Sequence, residues 1–180
     1  VVSTDPRDLA AAHTRFPVEV DSALRVAGWE PGRWDIRQAE TWADTLRAHV
    51  APGGHVHAVF PAAVEAWAEF GGLRVVGEGP GRQLGPADLH VDPMHGLHLT
   101  RTLADLGRAL QTELCPLGAE LAPDGSTAQA VLAVDADGRA YALDHTGDWF
   151  LGTSVDEALV TLVTGLEPQR LAPETGQGRD

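Results

Sequence analysis

Phe60-Pro61-Ala62-Ala63-Val64-Glu65-Ala66-Trp67-Ala68-Glu69-Phe70-Gly71-Gly72-Leu73-Arg74-Val75-Val76 begins with a helical apolar period, halts at two glycines and resumes as a β-branched run. Phe60, Val64, Trp67 and Phe70 recur at helical spacing. Pro61 suits the first helical turn, where the N–H it lacks would have no partner. Gly71 and Gly72 can take positive φ and close a helix, and residues 73–76 favour a strand. A helix feeding a strand through so short a turn must pack against the sheet it enters.

Helical patterns flank this joint on the N-terminal side. Val20, Leu24 and Ala27 share one face of a segment opened by Pro17, with Glu19 and Asp21 near its positive end and Gly28 to stop it. Ile36, Ala39, Trp42, Ala43, Leu46 and Val50 give a second stripe that ends at Pro52-Gly53-Gly54. Between them, Gly28-Trp29-Glu30-Pro31-Gly32-Arg33-Trp34 is a turn whose tryptophans either pin the loop to the core or await a partner. Pinning is the favoured reading for such large apolar rings.

On the C-terminal side, residues 77–88 form a Gly- and Pro-rich connection without a phosphate-binding glycine pattern. Leu89-His90-Val91 reads as a strand. Thr102 is placed to cap a helix striped by Leu103, Leu106 and Leu110, which Cys115-Pro116-Leu117-Gly118 would end. Residues 130–134 and 139–143 read as a hairpin around Gly138. Asp135 and Asp137 belong to its turn, because the calcium-loop register fails. Trp149-Phe150-Leu151 adds a strand, and Ser154 with Glu157 opens a last helix closed by Gly165. The chain is therefore expected to be α+β: a curved, mixed or mostly antiparallel sheet in a single domain over residues 16–166. Residues 1–15 are expected to be poorly ordered, and residues 167–180 to form a mobile tail.

All 13 basic residues of the 180 are arginine, against 26 acidic ones, for a net charge of −13. Direct binding to nucleic acid or to an anionic membrane needs clustered cations, so both are disfavoured. A basic protein would be attracted and steered. The lone Cys115 reads as a small core residue. With neither a signal-like N-terminus nor a long apolar run, the cytoplasm is the expected compartment.

His90-Val91-Asp92-Pro93-Met94-His95-Gly96-Leu97-His98 holds three histidines and a carboxylate, all metal-ligand types. The spacing matches no helical ligand pair, and His55 and His57 lack a third ligand nearby. A metal-dependent hydrolase built on His90, Asp92, His95 and His98 is the enzymatic alternative; the favoured reading has no cofactor and no catalytic residue.

Gly28-Trp29-Glu30-Pro31-Gly32-Arg33, Glu69-Phe70-Gly71-Gly72-Leu73, Val91-Asp92-Pro93, Leu106-Gly107, Pro116-Leu117-Gly118, Leu132-Ala133-Val134-Asp135, Gly138-Arg139-Ala140-Tyr141 and Leu151-Gly152 with Glu157-Ala158-Leu159 occur in this order. From about residue 16 to residue 165 they resemble the SUKH superfamily, third subfamily. The resemblance implies a non-enzymatic α+β domain, most often a bacterial immunity protein that binds and neutralises a polymorphic toxin of nuclease or deaminase type. A regulatory scaffold without a toxin is the alternative that the same fold implies. For an immunity protein, acidic groups would cover a basic toxin cleft and exposed aromatics would anchor the contact. The residues expected to do so are Trp29, Trp34, Glu78, Asp88, Asp92, Asp144, Asp148 and Trp149.

Overall fold

The computed structural model describes residues 15–172. Apart from Arg15, the expected frayed segment lies outside the described residues, as do residues 173–180 of the expected tail. Among the described residues three helices come first, α1 (Val18–Ala27), α2 (Ile36–Ala48) and α3 (Pro61–Phe70). Strands β1 (Arg74–Val75) and β2 (Asp88–His90), a 3-10 turn (Pro93–Gly96) and α4 (Thr100–Leu110) follow. The chain continues through β3 (Leu114–Leu121), β4 (Ala128–Asp135), β5 (Ala140–Asp144), β6 (Gly147–Gly152), α5 (Val155–Thr164) and β7 (Gln169–Arg170). The seven strands form one sheet in chain order, each antiparallel to the next. The expected α+β class is the one observed.

Helices cover both faces unequally. On one face Leu89, Val91, Leu132 and Leu151 pack against Leu24, Leu46, Trp67 and Leu159 of four different helices. On the other, α4 is the one helix among the described residues, setting Leu103 and Leu106 on Leu114, Tyr141 and Leu143. Trp67 lies at the centre of the larger core, fully buried, its indole N–H donating to the Pro116 carbonyl at 3.0 Å and its ring edge-on to Trp42.

The α3–β1 joint forms at its glycines, but only Gly72 takes positive φ, Gly71 having φ −56°, and the strand spans Arg74–Val75 rather than residues 73–76. Gly72 takes φ +82°, and a Cβ on Gly71 would lie 2.5 Å from the Trp42 ring. Arg33 reaches across from the Trp29 loop and donates to the Glu69 and Gly71 carbonyls at 2.7 and 2.9 Å, satisfying helix-end acceptors that α3 leaves unpaired.

Four other expectations change. Residues 115–118 do not stop a helix; they lie inside β3, where a register shift between Pro116 and Gly118 absorbs the proline. Helix α4 starts at Thr100, not after Thr102, and ends at Gln111 in the left-handed conformation. The connection after β1 is docked: backbone N–H groups of Arg82, Gln83 and Leu84 donate to the Thr164 and Gly165 carbonyls and cap α5. Gln169 and Arg170, assigned to the tail, instead pair with Phe150 and Trp149.

The β4–β5 turn is organised by Asp135, which is fully buried. Its carboxylate accepts from the Asp137 and Arg139 N–H groups, from Arg139 Nε at 2.8 Å and from the Tyr141 hydroxyl at 2.9 Å. These partners occupy the lone pairs a calcium ion would need. Burial, reinforced by the carboxylate, pushes the Tyr141 pKa up to about 12. Asp135→Ala is expected to cost roughly 3 kcal/mol in urea unfolding, because it strands a buried hydroxyl and two turn N–H groups. A loss below about 0.5 kcal/mol would deny the turn this role.

Candidate functional site

The β5–β6 turn and the end of α5 frame an open cavity of about 340 Å³. Glu120 from β3, Asp144 from β5 and Trp149 from β6 line it, with Leu162 and Glu167 at the helix end. Sheet register places them there. Glu120 pairs with Ala130 of β4, and Val131 with Leu143 of β5, so Glu120 and Asp144 stand in nearly the same row across the sheet. Trp149 is opposite Ala142, one step along the same face.

These carboxyl groups differ in environment. Burial pushes the Glu120 pKa above the usual carboxylate range, and the Asp144 charge adds to the rise. Burial would raise Asp144 too, but hydrogen bonds from the Thr146 hydroxyl and N–H and from the Gly147 N–H, with the Trp149 indole nearby, outweigh it and hold Asp144 low. The buried Trp149 N–H is not in well-formed hydrogen-bond geometry with any described residue. The Arg170 guanidinium lies over its ring, 5.5 Å from the centroid. An ionised carboxylate beside an indole, in a partly dry recess, is chemically suited to receive a cation.

The eight expected contact residues do not converge on one surface. Asp144 and Trp149 come together in the cavity. Asp148 is one residue away but on the opposite sheet face, where burial and then Asp144 raise its pKa. Trp34 is 55% exposed on the α1–α2 loop. Glu78 is exposed beside β1, where it lines a separate groove. Asp88 opens β2 rather than lying in a loop and accepts from the Gly77 N–H, and Asp92 caps the 3-10 turn by accepting from the Met94 N–H. Trp29 is only 4% exposed, edge-on to Phe16 and stacked on Phe70, so it pins its loop and offers no free anchor.

The histidine-rich stretch is divided as well. His90 and His95 share a 2.8 Å hydrogen bond, whereas His98 packs on His49, which also neighbours His57. His57 is buried, donates from Nε2 to the Leu97 carbonyl at 2.7 Å, and has its pKa lowered by that burial. Among the described residues no group of three or more His, Cys, Asp or Glu side chains is arranged to hold a metal ion. Cys115 is buried, and burial pushes its thiol pKa well up, which suits a packing role. Among the described residues no helix is long and apolar enough to cross a membrane.

Glu120 and Glu167 are the cavity residues that the sequence did not point to. A single carboxylate in the apolar run from Leu114 to Leu121 would have been the signal, had that run been read as a strand.

The described residues thus form a helix-flanked antiparallel sheet with an acidic recess lined by Glu120, Asp144 and Glu167. A family model described as SUKH-3 immunity protein matches residues 16–165, and the chain belongs to the SUKH superfamily. Neither a curated protein nor a solved structure matches it.

Because the folded state holds the Glu120 proton more tightly than the unfolded state does, stability should fall as pH rises from the ordinary carboxylate range through the raised value. Glu120→Gln is expected to increase the melting temperature at pH 7 and to flatten that dependence. An unchanged pH profile would show that Glu120 carries no burial penalty.

Proposed function

We propose that this chain is an immunity protein of the third SUKH subfamily, a non-enzymatic module that acts in the cytoplasm and neutralises a cognate polymorphic toxin by covering its active site. The observation that carries this reading is the family match over residues 16–165, whose model describes immunity proteins. Charge supports it: at −13 the chain repels nucleic acid but draws in a basic nuclease or deaminase, competing with the substrate for the same cationic cleft. The cavity supplies a local foothold. An arginine or lysine of the toxin would enter it, meet Asp144 and lie beside Trp149, with Glu120 behind.

The test uses the product of the neighbouring toxin gene, co-expressed and then titrated with the purified chain. Rescue of growth and a complex whose association slows with added salt are expected. Asp144→Lys should weaken the complex on the order of tenfold to a hundredfold, about 1.4–2.8 kcal/mol, with Trp149→Ala a milder second case. Unaltered affinity in both variants would remove the cavity from the interface, and failure to rescue with any neighbouring product would overturn the immunity reading itself.

A further inference from the structure

The sheet order leaves β1 at an edge, and its backbone phase is set by two hydrogen bonds. Val91 N–H donates to the Leu73 carbonyl, so Arg74 and His90 form the non-hydrogen-bonded pair and the Arg74 N–H and C=O point to the open side. Gly77 N–H turns inward to the Asp88 carboxylate, which carries the alternation past the two-residue strand. The backbone groups of Arg74, Val76 and Glu78 therefore face outward. Among the described residues none of these groups has a hydrogen-bond partner.

The side chains beside this edge are apolar in an unusual way. Val76 is 55% exposed, and across a groove of about 560 Å³ the α1 residues Val18 and Val26 are 81% and 87% exposed. Edge strands are usually blunted by charge, proline, a bulge or short length. Residues 73–78 carry no proline or bulge, while β1 is only two residues long and the charges along this stretch, Arg74 and Glu78, are of opposite sign. The charges have a pattern too. Glu19 of the groove pairs with Arg82, but among the described residues Arg74 and Glu78 have no ion-pair partner.

We infer that this edge pairs with the same edge of a second copy, forming a two-fold symmetric dimer. An antiparallel alignment centred on Val76 places Val76 opposite its own equivalent and Arg74 opposite Glu78 of the other copy, twice. All three pairs fall in the outward, hydrogen-bonding phase. A two-fold interface must be self-complementary, and the order Arg-Val-Val-Gly-Glu is so in charge. Val18 and Val26 of each copy then lie beside the added strand. The charge pairs set the register, and the valines and backbone bonds hold the contact. Two chains of −13 repel at long range, but at 0.15 M salt screening confines that repulsion to about 8 Å, so association is expected there and should weaken at low salt.

This inference is independent of the toxin reading and is tested on the purified chain alone. Sedimentation equilibrium at 0.15 M salt should give a concentration-dependent dimer. Val76→Arg, at a half-exposed position, should leave the chain folded, with an unchanged far-UV circular dichroism spectrum, and monomeric, with a melting temperature that no longer depends on concentration. Arg74→Glu and Glu78→Arg should each raise the dimer dissociation constant at least tenfold by setting like charges opposite one another, and the double variant should restore it. Recovery only in the double variant fixes the alignment. A wild-type chain that stays monomeric, a dimer indifferent to Val76→Arg, or a double variant as weak as the singles would each overturn the proposal.

Discussion

The reversal of the chain at Gly71 and Gly72 is the constraint on which the rest of the packing depends. Phe70 must end α3 inside the core, and Leu73 must lead into β1 from inside it, with only two residues between. Trp42 fills the space a side chain on Gly71 would need, and Arg33 binds the carbonyls exposed by the turn. The loop before α2 is tied to the same place, because Asp35 N–H donates to the Ala68 carbonyl. Helices α1, α2 and α3 thereby share one anchor on the sheet. Arg15 extends it by bridging Glu69 of α3 to Asp156 of α5.

That joint was legible because its elements announce themselves locally: apolar residues at helical spacing, then glycines, then β-branched residues. The β4–β5 hairpin and the Ser154 cap were legible for the same reason, with the Ser154 hydroxyl accepting from the Glu157 N–H at 3.1 Å. Strand β3 was not, because Pro116 and Gly118 look like breakers in isolation. Their use is set by distant partners. The Pro116 carbonyl accepts from Trp67, and the Gly118 Cα lies so close to β2 that a Cβ would be 2.2 Å from the His90 carbonyl oxygen. Strand β7 has only two residues and no apolar pattern, so nothing local could have marked it.

The candidate site was half legible for a related reason. Asp144 and Trp149 lie beside a turn that the sequence shows, whereas Glu120 joins them only through cross-strand register. Trp29 and Trp34 lie five residues apart in one loop and have opposite fates. The difference comes from Phe16 and Phe70, which enclose Trp29, and the pattern of the loop itself contains neither of them. Clustering in sequence was also a poor guide for the histidines. His98 found His49 across the fold, while Asp92, between His90 and His95, was drawn into a backbone cap.

Among the described residues, each strand of the sheet after the first pairs with the one immediately before it in the chain, without a crossover. Such a meander can be zipped from its first ribbon to its last as the polypeptide leaves the ribosome, each new strand finding a template already laid down. The searches that slow many β-rich chains, in which a strand must wait for a partner made much later, are largely spared. The long-range contacts that remain include those of α5 with the sheet and of the glycine-rich segment with the end of α5, where Arg82, Gln83 and Leu84 donate to the Thr164 and Gly165 carbonyls.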